Sequence, residues 1–394
     1  MGILVKNVNG SLGFCLTVLK VAGFLTPHQT RECYGFFLSV YCFSIFMFVV
    51  GGFLIAQTGA MFEIWGDLAL MTSASFLLLT NLAFAIKIIN VVIRKRQIQE
   101  IIDEANDELL AEDREEGIAI IKSSDHETTR SLYLYIFLSG ATVFGWAASA
   151  EKNQLPLRAW YPYDATKSPA YELTYANQSS AVTAAALVNI CLDTLVTSLI
   201  AVCRCRLRLV GLSLKTLCEG IPLSEKHLLT PEQEKIVQSR LHQSVVKHEA
   251  ALKTVRMIQQ FFSFPILAQF TVSVVIICVT AYQLAMEVSN GNWVRSFSMG
   301  CYLLGMALQV FLYCYQGNQL TEESSEIAGA AYEAPWYKCS LRVRRSLLIV
   351  MVRTRRAVRL TAGGFTTLSL ACFTSIIKAS YTFFTVLQQV EDRK

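Results

Sequence analysis

Seven apolar stretches, each long enough to cross a bilayer, occupy 35–57, 68–93, 131–150, 181–202, 261–286, 297–315 and 365–390. A helix spans the hydrocarbon with roughly 20 mostly apolar residues. Inside lipid every backbone polar group needs a partner within the protein, which leaves only helices and closed barrels. A barrel strand is about half as long and alternates apolar with polar residues, so these continuous stretches read as helices. The expectation is an all-α membrane protein, a single polytopic domain over 1–394 with seven transmembrane helices. Composition agrees, with 53% hydrophobic and 16% charged residues against about 25% charged in a soluble domain.

The net charge of +5 is compatible with nucleic-acid binding only if the basic residues form a patch, and their distribution argues otherwise. Of the 35 Lys and Arg residues, 27 fall in the segments 1–34, 94–130, 203–260 and 316–364, and 6 in the alternate connections and tail. Basic residues concentrate on the cytoplasmic side of membrane proteins, so the N-terminus is expected inside, the C-terminus outside, and no nucleic-acid partner is expected. Segments 94–130, 203–260 and 316–364 are charged with helical periodicity and read as cytoplasmic helical extensions, an anchor region beneath the membrane. Val237, Leu241, Val245, Leu252 and Val255 mark an apolar stripe along one of them. The run Arg204, Arg206, Arg208 directly after the fourth span reads as an anchor at the lipid headgroups.

The opening residues lack a small-residue cleavage site, so no cleaved signal peptide is expected. Asn177-Gln178-Ser179 falls in a connection expected outside and is a glycosylation acceptor there, whereas Asn9-Gly10-Ser11 falls inside and is expected to be inert. None of the 12 cysteines lies in an outer connection, which argues against extracellular disulfides.

Enzyme signals are nearly absent. His242 and His248 lie off one helical face, His28, His126 and His227 lie in separate segments, and no metal-ligand spacing or phosphate-binding glycine loop emerges. No catalytic residue, cofactor or metal is expected. Polar residues inside the spans are the better leads, because each is costly in lipid unless it faces protein or water. Asp193 reads either as a buried carboxylate satisfied by a neighbouring hydroxyl or Lys, or as part of an ion path. Lys87, near the inner end of its span, reads as snorkelling to the headgroups, whereas Lys378 lies too deep and is expected to face the bundle or a subunit contact. Phe76, Ser139, Thr142, Trp146, Asn189, Met299 and Tyr302 mix bulky apolar groups with small polar ones in the second, third, fourth and sixth spans. That mixture suits a pocket for a small apolar ligand, and it also suits ordinary bundle packing.

The run Tyr313-Cys314-Tyr315-Gln316-Gly317-Asn318-Gln319-Leu320-Thr321-Glu322-Glu323-Ser324, the pairs Ala331-Tyr332 and Trp336-Tyr337, and Thr374-Ser375-Ile376-Ile377-Lys378-Ala379-Ser380-Tyr381 in the last span closely resemble the insect odorant receptors over essentially the full length. The resemblance implies a ligand-gated, nonselective cation channel in which four subunits contribute their last helices to a central pore. It implies the plasma membrane of olfactory sensory neuron dendrites, with lipid around the bundle. The family has a shared co-receptor with a much longer second intracellular loop and many odorant-tuning subunits. The 58 residues of 203–260 resemble the short loop of a tuning subunit, which implies a heterotetramer with the co-receptor and a pocket for a small volatile odorant. The family's gate pattern, matched to 382–390, implies Val386, Gln389 and Val390 at the pore; Phe383 stands where the family has Tyr. Ser139, Thr142 and Trp146 resemble the spacing by which the family's third helix faces its pocket. A gustatory-type homomeric channel, a G-protein-coupled receptor and a transporter are the alternatives.

Overall fold

The computed structural model describes residues 10–25, 32–64, 66, 68–148, 160, 163, 168–221, 229–289 and 291–391. Helix α1 (Gly10–Val21) precedes a helical run composed of α2 (Glu32–Phe46), a π-helical stretch Met47–Gly51 and α3 (Gly52–Glu63). Then come α4 (Leu68–Ile93), α5 (Lys95–Leu110), α6 (Glu115–Ala148), α7 (Ala170–Lys215), α8 (Pro231–Ser289) and α9 (Trp293–Glu333). Helix α10 (Leu341–Thr354), a two-stranded hairpin of β1 (Thr361–Ala362) and β2 (Thr366–Thr367), and α11 (Leu370–Glu391) complete the chain.

Six of these helical runs are long and apolar enough to cross a membrane, and the bent pair of α4 and α5, at 71°, makes a seventh. The elbow falls at Arg94, whose guanidinium lies 4.8 Å from the centre of the Phe261 ring on α8, an arrangement that stabilises the cation over the ring face. The charged extensions are continuations of the spans. Helix α7 is 46 residues long, α8 59 and α9 41, each well beyond the ~20 that a bilayer needs.

Helix α7 is the hub of the bundle. Its apolar window is 83% buried, against 22% for that of α6 and 11% for that of α11. Helices α1, α6, α8 and α9 pack around it, and α1 is held there by Ser11, which donates to Thr128 of α6 at 2.9 Å. Phe36, Phe37 and Phe43 on α2 are exposed, as residues on the outer face of a membrane bundle are expected to be.

The arginines after the fourth span do not behave as headgroup anchors. Arg204 and Arg206 are buried. Arg204 donates to Glu127 at 2.9 Å and to Gln316 at 2.7 Å, and Arg206 donates to Thr254 at 2.8 Å and pairs with Glu104 and Glu108. They tie α7 to α5, α6, α8 and α9, because the extensions wrap the end of α7 and carry the acids that a buried guanidinium requires. Gln316 and Glu323 of the run 313–324 belong to this cluster, Glu323 lying 3.6 Å from Arg208. Nearby, the Arg114 guanidinium beside Glu112 holds its carboxyl below the usual carboxylate range.

The last span starts later than its hydropathy indicates. Phe365 lies at the tip of the β1–β2 hairpin, 87% exposed, and helix begins at Leu370. Gly363 and Gly364 adopt φ of +60° and +78°, a region that glycine enters without steric cost. Gln259 on α8 fastens the hairpin by accepting from the Thr361 amide at 2.7 Å and donating to its carbonyl at 3.0 Å. The acceptor Asn177 lies on the first turns of α7, exposed, and not in a loop. Glu172 in the first turn suits the positive end of a helix that starts there.

Candidate ligand site

A cavity of about 130 Å³ lies among α3, α4, α6, α7 and α9, in the half of the bundle remote from α10 and the arginine cluster. Helical periodicity decides which residues reach it. Leu77, Thr80, Asn81 and Phe84 form one stripe of α4, and Tyr135, Ser139, Thr142, Val143 and Trp146 one stripe of α6, spacings of three and four that keep side chains on one face. Ala185 and Asn189 of α7 and Tyr302, Gly305 and Met306 of α9 close the other sides. The Trp146 and Tyr302 rings meet with centroids 5.6 Å apart, and Tyr302 shares a 3.0 Å hydrogen bond with Thr80. Gly145 permits the close approach of α6 to α9. A Cβ there would stand 2.6 Å from that of Ser298, whose hydroxyl donates to the Thr142 carbonyl at 2.9 Å.

Five of the seven sequence-derived pocket residues, Ser139, Thr142, Trp146, Asn189 and Tyr302, line this cavity. Met299 does not; it is buried behind the wall, packed with Val279, Leu77, Trp146 and Tyr302. The side chain of Phe76 lies outside the described residues. The Thr142 hydroxyl donates within its own helix, to Leu138 at 2.8 Å. Sequence reading missed the contribution of the first span, Phe53 and Gln57, and the amide of Asn81. The lone Gln of α3 and an Asn in the apolar α4 were the available signal.

Immediately below the cavity a polar cluster surrounds Asp193, which is 3% exposed. Lys87 Nζ donates to its Oδ1 at 2.6 Å and Tyr313 to the same oxygen at 2.9 Å. Tyr135 donates to Oδ2 at 3.2 Å, and the Gln309 amide donates to the same oxygen. A carboxylate offers about four acceptor sites, and here each oxygen has two donors. The ammonium of Lys87 donates also to Asn189 at 3.2 Å. Lys87 therefore does not snorkel. It is 7% exposed, turned inward because an opposite charge with full hydrogen bonding lies within reach on α7. Gln309 in turn accepts from Gln269 of α8 at 2.9 Å. Tyr135 and Asn189 belong both to this cluster and to the cavity wall.

Helix α11 presents a different surface. Cys372, Ile376 and Ser380 are buried, and Phe373 packs edge-on against Phe311 of α9 at 5.5 Å. On the opposite side Thr374, Ser375, Lys378, Thr382, Val386 and Gln389 are exposed. Lys378 thus faces away from its own bundle, and among the described residues it has no ion-pair partner. The side chain of Val390 lies outside the described residues.

Residues 67–381 match the family model described as 7tm Odorant receptor. The chain belongs to the odorant receptor family. It is a membrane receptor of seven-helix fold and not an enzyme. The receptor is 25% identical over 407 residues to odorant receptor Or1 of Anopheles gambiae, covering 95% of this chain and 94% of that one. It is 32% identical over 163 residues to the odorant receptor coreceptor of Ooceraea biroi, covering 41% of this chain and 34% of that relative. A solved structure, the insect olfactory receptor OR5 from Machilis hrabei in complex with eugenol, superposes with a TM-score of 0.77 at 20% identity, over 96% of this chain and 97% of that one. The fold is shared.

Proposed function

We propose that this receptor is an odorant-tuning subunit that binds a small, volatile, mostly apolar molecule in the cavity and thereby favours opening of a nonselective cation channel. The channel is a heterotetramer with the odorant receptor co-receptor, in the plasma membrane of olfactory sensory neuron dendrites. The excess of basic residues in alternate segments supports an inside N-terminus and an outside C-terminus. The exposed acceptor Asn177 is then on the outer side, available for glycosylation, and the exposed apolar side chains of α2 meet lipid.

The observation that carries the reading is the pairing of a mostly apolar cavity inside the bundle with a last helix whose polar face this chain leaves uncovered. A Lys exposed to lipid at that depth is costly. Neighbouring subunits that bring the same face to a shared water-filled axis remove that cost. Val386 and Gln389, with Val390 one helical turn on from Val386, form the gate: apolar side chains close it by dewetting, and the amide gives a hydrated cation polar contacts. Binding shifts the channel toward opening only if the ligand prefers the open state. Tyr135 and Asn189 supply the physical link, since they touch both the cavity and the cluster that joins α4, α6, α7 and α9 to α8, and α8 and α9 carry α11.

Trp146→Ala and Tyr302→Ala each remove a large part of the wall. Each is expected to raise the half-maximal odorant concentration by at least about tenfold, the ratio that 1.4 kcal/mol represents, with surface labelling of the complex unchanged. Unaltered dose–response curves for both variants refute the cavity as the odorant site.

A further inference from the structure

Gln57 lies on α3 one turn beyond Phe53, and both are wall residues of the cavity. It is 4% exposed. Its Oε1 accepts from Asn81 Nδ2 at 3.0 Å, and its own amide nitrogen is buried with no acceptor among the described residues. A buried N–H without a partner is costly, and native structures contain few of them. With Asn81 donating, the Gln57 carbonyl is engaged and its N–H₂ is the group left to donate.

We propose that the ligand of this cavity carries a hydrogen-bond acceptor, a ketone, ester or ether oxygen, and that the Gln57 amide donates to it. The inference rests on the cavity being the odorant site and adds the chemical class. Two of the wall's side-chain carbonyls already have donors: Gln57 Oε1 takes Asn81, and Asn189 Oδ1 takes Lys87. An anionic ligand finds the nearest cation, Lys87, committed to Asp193. The cavity of about 130 Å³ is close in size to the roughly 150 Å³ cavity that takes up benzene, which suits a ligand of a single ring or a short chain. Gln57 thus selects for one acceptor on a small apolar body.

The test uses the full receptor co-expressed with the co-receptor, read as current. A broad panel of matched pairs is applied, each a ketone, methyl ester or ether alongside the hydrocarbon of the same length and shape. In the wild type the acceptor-bearing member is expected to be at least about tenfold more potent, the order of one hydrogen bond in a buried site. Gln57→Met and Gln57→Leu, which keep bulk and remove the donor, are expected to abolish that preference, so that both members of a pair act at similar concentrations. A preference that survives in a surface-labelled variant overturns the inference while the odorant site stands. So does equal potency within wild-type pairs, a reading that needs no variant to fold. If no compound evokes current from a surface-labelled wild-type complex, the odorant reading itself fails and the inference with it.

Discussion

Asp193 and Lys87 stand 106 positions apart, yet each removes the main cost of burying the other. Their geometry makes the pair sensitive to loss of one member. Asp193→Asn leaves an ammonium in the bundle core without a counter-charge, and Lys87→Met leaves a carboxylate; breaking a buried pair this way costs about 3–5 kcal/mol. Each single variant is expected to lower the thermal unfolding midpoint of the detergent-purified receptor and its surface level. The double variant Lys87→Met with Asp193→Leu, which removes both charges, is expected to recover part of the loss. Single variants indistinguishable from wild type contradict the role assigned to the pair. Sequence left Asp193 as either a buried carboxylate, with a hydroxyl or a Lys as its partner, or part of an ion path. It assigned Lys87 to the headgroups because position along a helix reveals depth but not which face a side chain takes. The orphan amide of Gln57 was illegible for the same reason, since its significance lies in an acceptor that is missing across an interface with α4.

Hydropathy locates helices well because lipid forces the backbone to close its own hydrogen bonds, and every apolar stretch found in the sequence falls on a helix or largely within one. Ends are less legible. Phe365 reads as part of the last span, but two glycines at positive φ fold it into the hairpin, a local effect that average hydropathy cannot register. The motif glycine Gly317 illustrates how an element is positioned. A Cβ there would lie 2.8 Å from the backbone oxygen of Leu368, so α9 and the segment leading into α11 meet only because position 317 has no side chain. Gly317→Val is expected to displace the start of α11, changing basal leak or reducing maximal evoked current, with odorant potency altered less than in the Trp146 variant. Wild-type leak and maximal current in Gly317→Val refute this contact as the seat of the pore helix.

Across the whole molecule, the stripes around the cavity and the exposed face of α11 lie on different sides of the bundle and call for different partners. One suits a small ligand; the other suits further subunits. Ser139, Thr142 and Trp146, which the family resemblance implied on the pocket side of α6, lie on its cavity-lining stripe, whereas the pore face acquires its meaning only when several chains meet. Truncating the constriction tests that face: Val386→Ala in the co-assembled channel is expected to change basal leak or cation selectivity. Wild-type values for both move the gate elsewhere. The most direct measurement is the current evoked by an odorant panel in cells expressing this receptor with the co-receptor, compared with cells expressing either chain alone. The account predicts ligand-evoked cation current that requires both chains and is specific to this receptor's ligands. Robust ligand-evoked current from this chain alone, as a homomeric gustatory-type channel would give, contradicts it.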